Sequence, residues 1–502
     1  MDYLIDFLLY HPQKPFLFTS FSFWIFLALV LAVFSLIYKN RPLRNAFLFL
    51  CSLFFYYKTG GYFVVLLIFS VALNFWCAKR IDKSSKPVWR RCYLIIGIFI
   101  NLALLTYFKY TAFFTDLCND LFNTNYPIVD YLSAWSNRII HSDFSIDAIA
   151  LPIGISFFTF QALSYIIDTY KGKIKALTNF IDFGFYLCFF PQLVAGPIVR
   201  ASDFIPQLHK HYQLSSREFS IGLFLILNGL IKKMIISDFI SLHFVDRVFE
   251  NPGLFTGFET WMAAYGYTMQ IYCDFSGYTD IAIGVAALLG FQLPINFNSP
   301  YKAACISDFW HRWHISLSTW LKDYLYIPLG GNKKGRARTY INLLITMLLG
   351  GLWHGANLKF LLWGALHGLF LCIDKITHVD RYVYRTRILR SLGIILTFHI
   401  VCFTWLFFRA SSVEEAWFMF LHIFSYTSPA QIAGILQNYY QPLLFIAIAL
   451  LVHLLPQRFK NTYQRWFYDL PFVVKGLVCC VIISLIYLCK SSELQPFIYF
   501  QF

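Results

Sequence analysis

The sequence predicts an all-α polytopic membrane protein, a multi-helix bundle that includes amphipathic and re-entrant helices. Three observations carry that expectation. Of 502 residues 58% are hydrophobic and 13% charged, with a mean hydropathy of +0.58, whereas soluble domains carry about 25% charged residues. Apolar runs long enough to cross a bilayer, roughly 20 residues each, recur along the chain. Those runs lack the ten-residue alternation of a membrane barrel. No polar linker, low-complexity tract or fixed-period repeat divides the chain, so residues 1–502 read as one membrane domain.

The first run, residues 16–38, is too long for a secretory signal core and lacks a small-residue cleavage site. Asp2 and Asp6 leave its flank without net positive charge, so it reads as a retained span. Further runs follow at 46–57, 62–78 and 92–114, and then an acidic stretch, 115–150, with Asp116, Asp120, Asp130, Asp143 and Asp147 against Arg138. The middle runs are 151–170, 183–198, 219–240 and 261–289; the last are 340–355, 360–376, 389–408, 439–455 and 473–489. Several are short enough to be re-entrant. Basic clusters separate them, around Arg41, Lys83, Lys173, Lys334, Arg385 and Lys460. The positive-inside rule assigns those clusters to the cytoplasm and the acidic stretch and both chain ends to the outer side. The formal charge of +15 therefore belongs to membrane loops, and nucleic acid is excluded as a partner. Twelve cysteines show no C-x-x-C pair and no zinc-like spacing; those inside apolar runs, such as Cys188 and Cys402, read as small buried hydrophobes.

Against this apolar background stands SDFWHRWHISLSTW, residues 307–320. At about 100° per residue, Phe309, Trp310, Trp313, Leu317, Trp320, Leu321 and Tyr324 share one helical stripe. Asp308, His311, Arg312, Ser316, Lys322 and Asp323 share the other side. The pattern predicts an amphipathic helix, lying at the interface or lining a cavity. His311, beside Arg312, reads as water-facing. His314 lies at the border of the apolar stripe, where an imidazole reaches an apolar cavity. The i,i+3 spacing of the two histidines suits a metal, but no further ligand motif accompanies it, and no metal is assigned.

A second polar stretch, MLLGGLWHGANLKFLLWGALHG, spans residues 347–368. His354 follows Arg338, the last residue of a basic loop, by sixteen residues, which on a helix is about 24 Å from the cytoplasmic end. An unpaired imidazole at that depth costs several kcal/mol. It is either functional or bonded to a neighbouring helix, brought close by Gly350, Gly351 and Gly355. His367-Gly368 repeats the dipeptide and reads as structural. In YCDFSGYTDIAIG, residues 272–284, Asp274, Ser276, Tyr278 and Asp280 alternate; without the closing glutamate of a calcium loop this reads as architecture or cavity lining. Asn228, Lys232, Lys233 and Asp238 interrupt the run 219–240, marking its end, a bend, or a place for an anionic donor.

Six ordered stretches then resemble one family: residues 151–170, FFPQLVAGPIVR at 189–200, QIYCDFSGYTDIAIG at 270–284, DFWHRWHISLSTWLKDYLYIPLGG at 308–331, GGLWHGA at 350–356 and LWGALHG at 362–368, with a shorter echo in the tail PFIYFQF. They resemble the membrane-bound O-acyltransferases, in particular the bacterial alginate O-acetyltransferase-like branch, over a core of about residues 151–409. The resemblance implies helices ringed around a tunnel that takes an acyl donor from the cytoplasm and presents the acyl group to an acceptor on the other face. It implies that His354 is the catalytic histidine and His314 the second polar residue of the site. Trp310, Trp313 and Trp353 then wall off water, with Asp308, Arg312 and Asn357 along the tunnel. A neutral imidazole suits removal of an alcohol proton at neutral pH. The implied donor substrate is acetyl-coenzyme A, with no permanently bound cofactor. The implied acceptor is an extracytoplasmic polysaccharide such as alginate, reached directly or through an acetyl-relay partner of esterase-like fold, and the implied location is the bacterial cytoplasmic membrane. Two other readings stand beside it: D-alanyl or other acyl transfer to a cell-wall polymer, and a transporter or flippase, whose pathway residues are also polar but which favours inverted repeats that this chain does not clearly show.

Overall fold

A computed structural model of the chain describes residues 8–12, 15–489 and 497–498. The expectations for the extreme chain ends, and most of the tail motif 496–502, fall outside these residues. Among the described residues the elements are helical, with no strand. Within the same described residues six helices are long and apolar enough to cross a membrane, or seven if the pair Pro429–Asn438 and Tyr440–Leu454, bent by 85°, forms one span. That is fewer than the apolar runs in the sequence, because several of those runs form helices shorter than 18 residues, such as Phe21–Ile37 and Ile155–Tyr170.

Contacts divide the chain into two compact units. The first holds α1 (Phe21–Ile37), α2 (Arg41–Gly60), α3 (Val64–Lys83), α4 (Pro87–Phe122), α5 (Tyr131–Ile140), α6 (Ile155–Tyr170), α7 (Phe180–Cys188) and α8 (Ala201–Leu208). Two expected spans, 46–57 and 62–78, run into each other as α2 and α3 through a single 3-10 turn, Gly61–Phe63. The expected span 183–198 is instead two short buried helices, α7 and Phe190–Leu193. Phe23, Phe26, Phe55 and Phe190 form an aromatic core. Polar residues are satisfied within it: Asn74 and Asn101 exchange side-chain amide bonds at 3.2 and 2.9 Å. The Arg44 guanidinium donates to Leu208 O, and Asn45 Nδ2 donates to Asp182. Such pairings replace the water that a membrane interior lacks.

The second unit holds α9 (Ser216–Leu230), α10 (Gly257–Leu288), α11 (Ile306–Arg312), α12 (Ile315–Leu321), α13 (Arg336–His354), α14 (Leu358–Thr377), α15 (Arg387–Arg409), α16 (Val413–His422), α17 (Pro429–Asn438), α18 (Tyr440–Leu454), α19 (Gln457–Asp469) and α20 (Phe472–Cys489). Capping boxes, Ser215 with Glu218 and Thr256 with Glu259, start α9 and α10. α10, the longest helix of this unit, is almost wholly buried. Its alternating polar residues are architectural: Asp274 pairs with Lys233, which also pairs with Asp238 at 2.8 Å, and Asp280 pairs with Lys232 at 2.7 Å. Both lysines lie where the backbone widens into π-helix, Ile231–Ser237. The tail reaches the same network, since Ile498 N donates to Asp274 at 2.9 Å. Of the cysteines in apolar runs, Cys188, Cys372 and Cys402 are buried, but Cys480 is exposed.

Candidate active site

The single amphipathic helix expected across residues 308–324 is two helices, α11 and α12, broken at Trp313 and His314. His314 has φ 43° and ψ 53°, a left-handed conformation that non-glycine residues rarely adopt. Asn296 accounts for the break. Its main-chain oxygen accepts from Ile315 N at 3.0 Å, and its Oδ1 accepts from Ser316 N and Ser316 Oγ at 3.1 and 2.9 Å. Two residues on, Asn298 N donates to Arg312 O at 2.9 Å. An extended segment thus takes over the hydrogen bonds that helix continuation would have made. The apolar stripe still holds, because Phe309, Trp313, Leu317, Trp320 and Leu321 are all buried.

α13 is continuous from Arg336 to His354, so the histidine ends the helix that begins at the basic loop. α14 follows within a few residues and packs closely against it. A Cβ on Gly351 would collide with Phe360 O, and one on Gly364 with Met347 O. This closeness sets the end of α13 against the first turns of α14.

The two histidines meet. Their ring centroids are 6.3 Å apart, with His314 0% and His354 3% exposed. Trp353 touches both, at 5.8 Å from His314 and 5.0 Å from His354. Phe275 stands edge-on to His314 at 4.7 Å, and Trp363 and Phe408 close the other side of His354 at 5.1 and 5.3 Å. The result is a pair of imidazoles in an aromatic enclosure. Such a site excludes water.

The remaining candidates are placed as follows. Trp313 is fully buried beside His314 in the chain, and its ring packs on Phe297 and Trp405 at 5.0 and 5.1 Å. Trp310 is half-buried; its Nε1–H donates to His367 Nδ1 at 3.3 Å, leaving His367 Nε2–H to donate to Thr404 Oγ1 at 3.1 Å, whose hydroxyl donates to Val401 O. His367 is thereby held neutral and structural, and its ring lies 4.7 Å from Trp363. Asp308 and Arg312 pair with each other at 2.8 Å, and Tyr384 OH donates to Asp308 at 2.7 Å, at a half-buried edge and not at the histidines. Burial and that carboxylate raise the Tyr384 hydroxyl above its usual range. Asn357 is exposed and falls in Gly355–Asn357, which cluster with the first unit. His311 is exposed, with its Nδ1–H donating to Ser307 O at 2.6 Å.

Asn296, Phe275, Trp363 and Phe408 were not singled out from the sequence. Two asparagines in the proline-bounded segment PINFNSP signalled the first of these, and the LWGALHG motif contained Trp363. Nothing local marked Phe275 or Phe408 among the chain's 56 phenylalanines.

Comparison with known proteins follows the same residues. Residues 156–414 match MBOAT, the membrane-bound O-acyltransferase family. The chain is 39% identical over 409 residues to the probable alginate O-acetylase of Pseudomonas aeruginosa, covering 81% of this chain and 75% of that protein. It is 38% identical over 405 residues to the peptidoglycan O-acetyltransferase of Helicobacter pylori, covering 75% of this chain and 73% of that one. The teichoic acid D-alanyltransferase of Bacillus subtilis is more distant, at 29% over 269 residues, covering 50% of this chain and 67% of the relative.

Proposed function

Since the chain belongs to the membrane-bound O-acyltransferase family, and is a multi-pass membrane acyltransferase, we propose that it moves acetyl groups from cytoplasmic acetyl-coenzyme A to an extracytoplasmic polysaccharide or to a relay protein that acetylates one. The observation that carries this reading is the meeting of His314 and His354 in a buried aromatic enclosure. The greater identity and coverage of the acetylating relatives favour acetyl over D-alanyl as the group transferred.

In this reading an acceptor hydroxyl enters beside His354, whose imidazole takes its proton as the oxygen attacks the thioester carbonyl. The C–O bond forms, the C–S bond breaks, and the departing thiolate takes the proton from the imidazolium, so the enzyme returns to its starting state. His314 orients the carbonyl or the hydroxyl. Trp353, Trp363 and Phe408 keep out water that would hydrolyse the thioester. The basic loops face the cytoplasm in the bacterial inner membrane, and both chain ends face outward.

Sealed membrane vesicles carrying the protein and a candidate acceptor test the reading. Acetyl-coenzyme A labelled in its acetyl group, supplied to the cytoplasmic face alone, is expected to label the acceptor on the opposite face. Transfer of intact thioester across the membrane, with no acceptor labelled, would instead establish a transporter.

A further inference from the structure

In the first unit, the acidic stretch 115–150 holds one helix whose polarity runs inside out. On α5 the side chains of Tyr131, Leu132, Trp135 and Ile139 are 72%, 44%, 64% and 55% exposed, and on a helical wheel they fall within one arc of about 100°. The opposite arc holds Ser133, Ser136 and Asn137, whose hydrogen bonds are made within the chain. Asn137 Nδ2 donates to Phe144 O at 2.9 Å, and its Oδ1 accepts from Phe144 N at 3.0 Å. The Ser136 and Ser142 hydroxyls share a hydrogen bond of 3.0 Å, and Ser133 Oγ donates to Asp130 at 2.7 Å. The polar face of α5 is thus turned to its own chain and the apolar face is left open, the reverse of a helix on a water-facing surface. Four large apolar side chains gathered on one open arc mark a contact surface.

The height at which α5 is held says what covers that arc. Its N-cap, the buried Asp130, accepts from Leu132 N and Ser133 N at 3.1 and 3.2 Å and from Tyr107 OH at 2.6 Å. Leu132 N also donates to Tyr107 OH, at 3.1 Å. Tyr107 lies on α4, sixteen residues after Arg91, the end of a basic cluster that the positive-inside rule assigns to the cytoplasm. On a helix that is about 24 Å, against roughly 30 Å of hydrocarbon core. The tether therefore sets the start of α5 near the outer boundary of the hydrocarbon. On the way there α4 turns Ile95, Phe99 and Leu102 outward, the face that a span gives to lipid, and the open arc of α5 continues that boundary. Tyrosine and tryptophan are the residues that favour this level. Arg138, the lone arginine or lysine of the stretch, is exposed and lies within about 20° of Tyr131 on the wheel, where a guanidinium reaches lipid phosphate.

We propose that α5 lies flat in the interface of the outer leaflet, with Tyr131, Leu132, Trp135 and Ile139 sunk into the phospholipid surface and Arg138 at its phosphates. The stretch 115–150 then carries a membrane anchor and is not simply an aqueous loop. The exposed Asp116, Asp120, Asp143 and Asp147 of the same stretch disfavour an anionic surface, so the lipid that fits is zwitterionic. This placement is independent of the acyltransferase reading.

The full chain in phosphatidylcholine nanodiscs is given a nitroxide on p-acetylphenylalanine placed at residue 132, 135, 139 or 120, and collisions of the label with oxygen and with a water-soluble nickel chelate are compared by power saturation. Residue 120 serves as the aqueous reference, thirteen residues beyond Tyr107 on α4. The ratio of oxygen to chelate accessibility is expected to be roughly fivefold or more above that reference at 132, 135 and 139. A ratio equal to the reference at these three positions overturns the proposal. Trp135→Glu/Ile139→Glu, in preparations that keep the unfolding temperature of the original chain, is expected to bring the ratio at residue 132 down to the reference. An unchanged ratio in that variant shows that the apolar arc does not hold the helix to lipid, and overturns the proposal as well. The other occupant of such a face is a protein. If the chelate reaches 135 and 139 in nanodiscs while p-benzoylphenylalanine at residue 135 links to one discrete protein in the native membrane, the arc is a protein docking surface and the lipid placement falls.

Discussion

His314 carries two separable properties, a buried ring facing His354 and a left-handed backbone that breaks α11 from α12. A non-glycine residue held there costs roughly 1–2 kcal/mol, and asparagine tolerates it better than most. His314→Asn is therefore expected to unfold near the temperature of the original chain and to lose most acetyl transfer, because the ring is gone while the break remains. His314→Ala is expected to lose transfer and about 1 kcal/mol of stability as well, read as a lower unfolding temperature. Equal transfer by His314→Asn and the original chain would reduce the ring to packing. His367, also fully buried, has both ring nitrogens engaged, by Trp310 and Thr404. Burial alone therefore does not mark a functional histidine.

Helix against helix, the site depends on the approach of α13 to α14. Gly351→Val would put side-chain atoms where Phe360 O stands, and overpacking of this kind typically costs about 1–3 kcal/mol. It should lower the unfolding temperature and abolish transfer. The ion network beneath α10 makes a second case. Lys233→Met leaves the buried Asp274 and the half-buried Asp238 without their cation, a loss of about 3–5 kcal/mol in comparable buried pairs. Lys233→Met with Asp274→Leu is expected to regain part of that stability, and a double variant no more stable than the single one would contradict the pairing. Much of this was legible in sequence. Six motifs in order gave the family and contained both histidines that the structure brings together, and the sixteen residues from Arg338 gave the reach of α13. The break at His314 was hidden because helical periodicity continues across it, and the bonds that replace the helix come from Asn296, eighteen residues earlier. Charge alternation in α10 showed that polar residues lined something, but only tertiary packing paired Asp274 with Lys233.

For the molecule as a whole, apolar composition identified a multi-pass membrane protein, and the apolar runs outnumber the helices long and apolar enough to span because several form short helices, α1, α6 and α7 among them. Orientation follows from charge. An epitope inserted in the loop Lys333–Lys334, between α12 and α13, is expected to bind antibody in inside-out vesicles and not in right-side-out ones, and the opposite pattern would reverse the donor and acceptor faces. The central claim is that the whole assembly transfers an acyl group through His354. It is tested most directly by comparing labelled acetyl transfer to acceptor in membranes carrying the original chain or His354→Ala at matched abundance. Loss of a general base typically costs about 10²–10⁴-fold in rate, and a fall of that size is the expected result. Equal transfer by the two chains would contradict it.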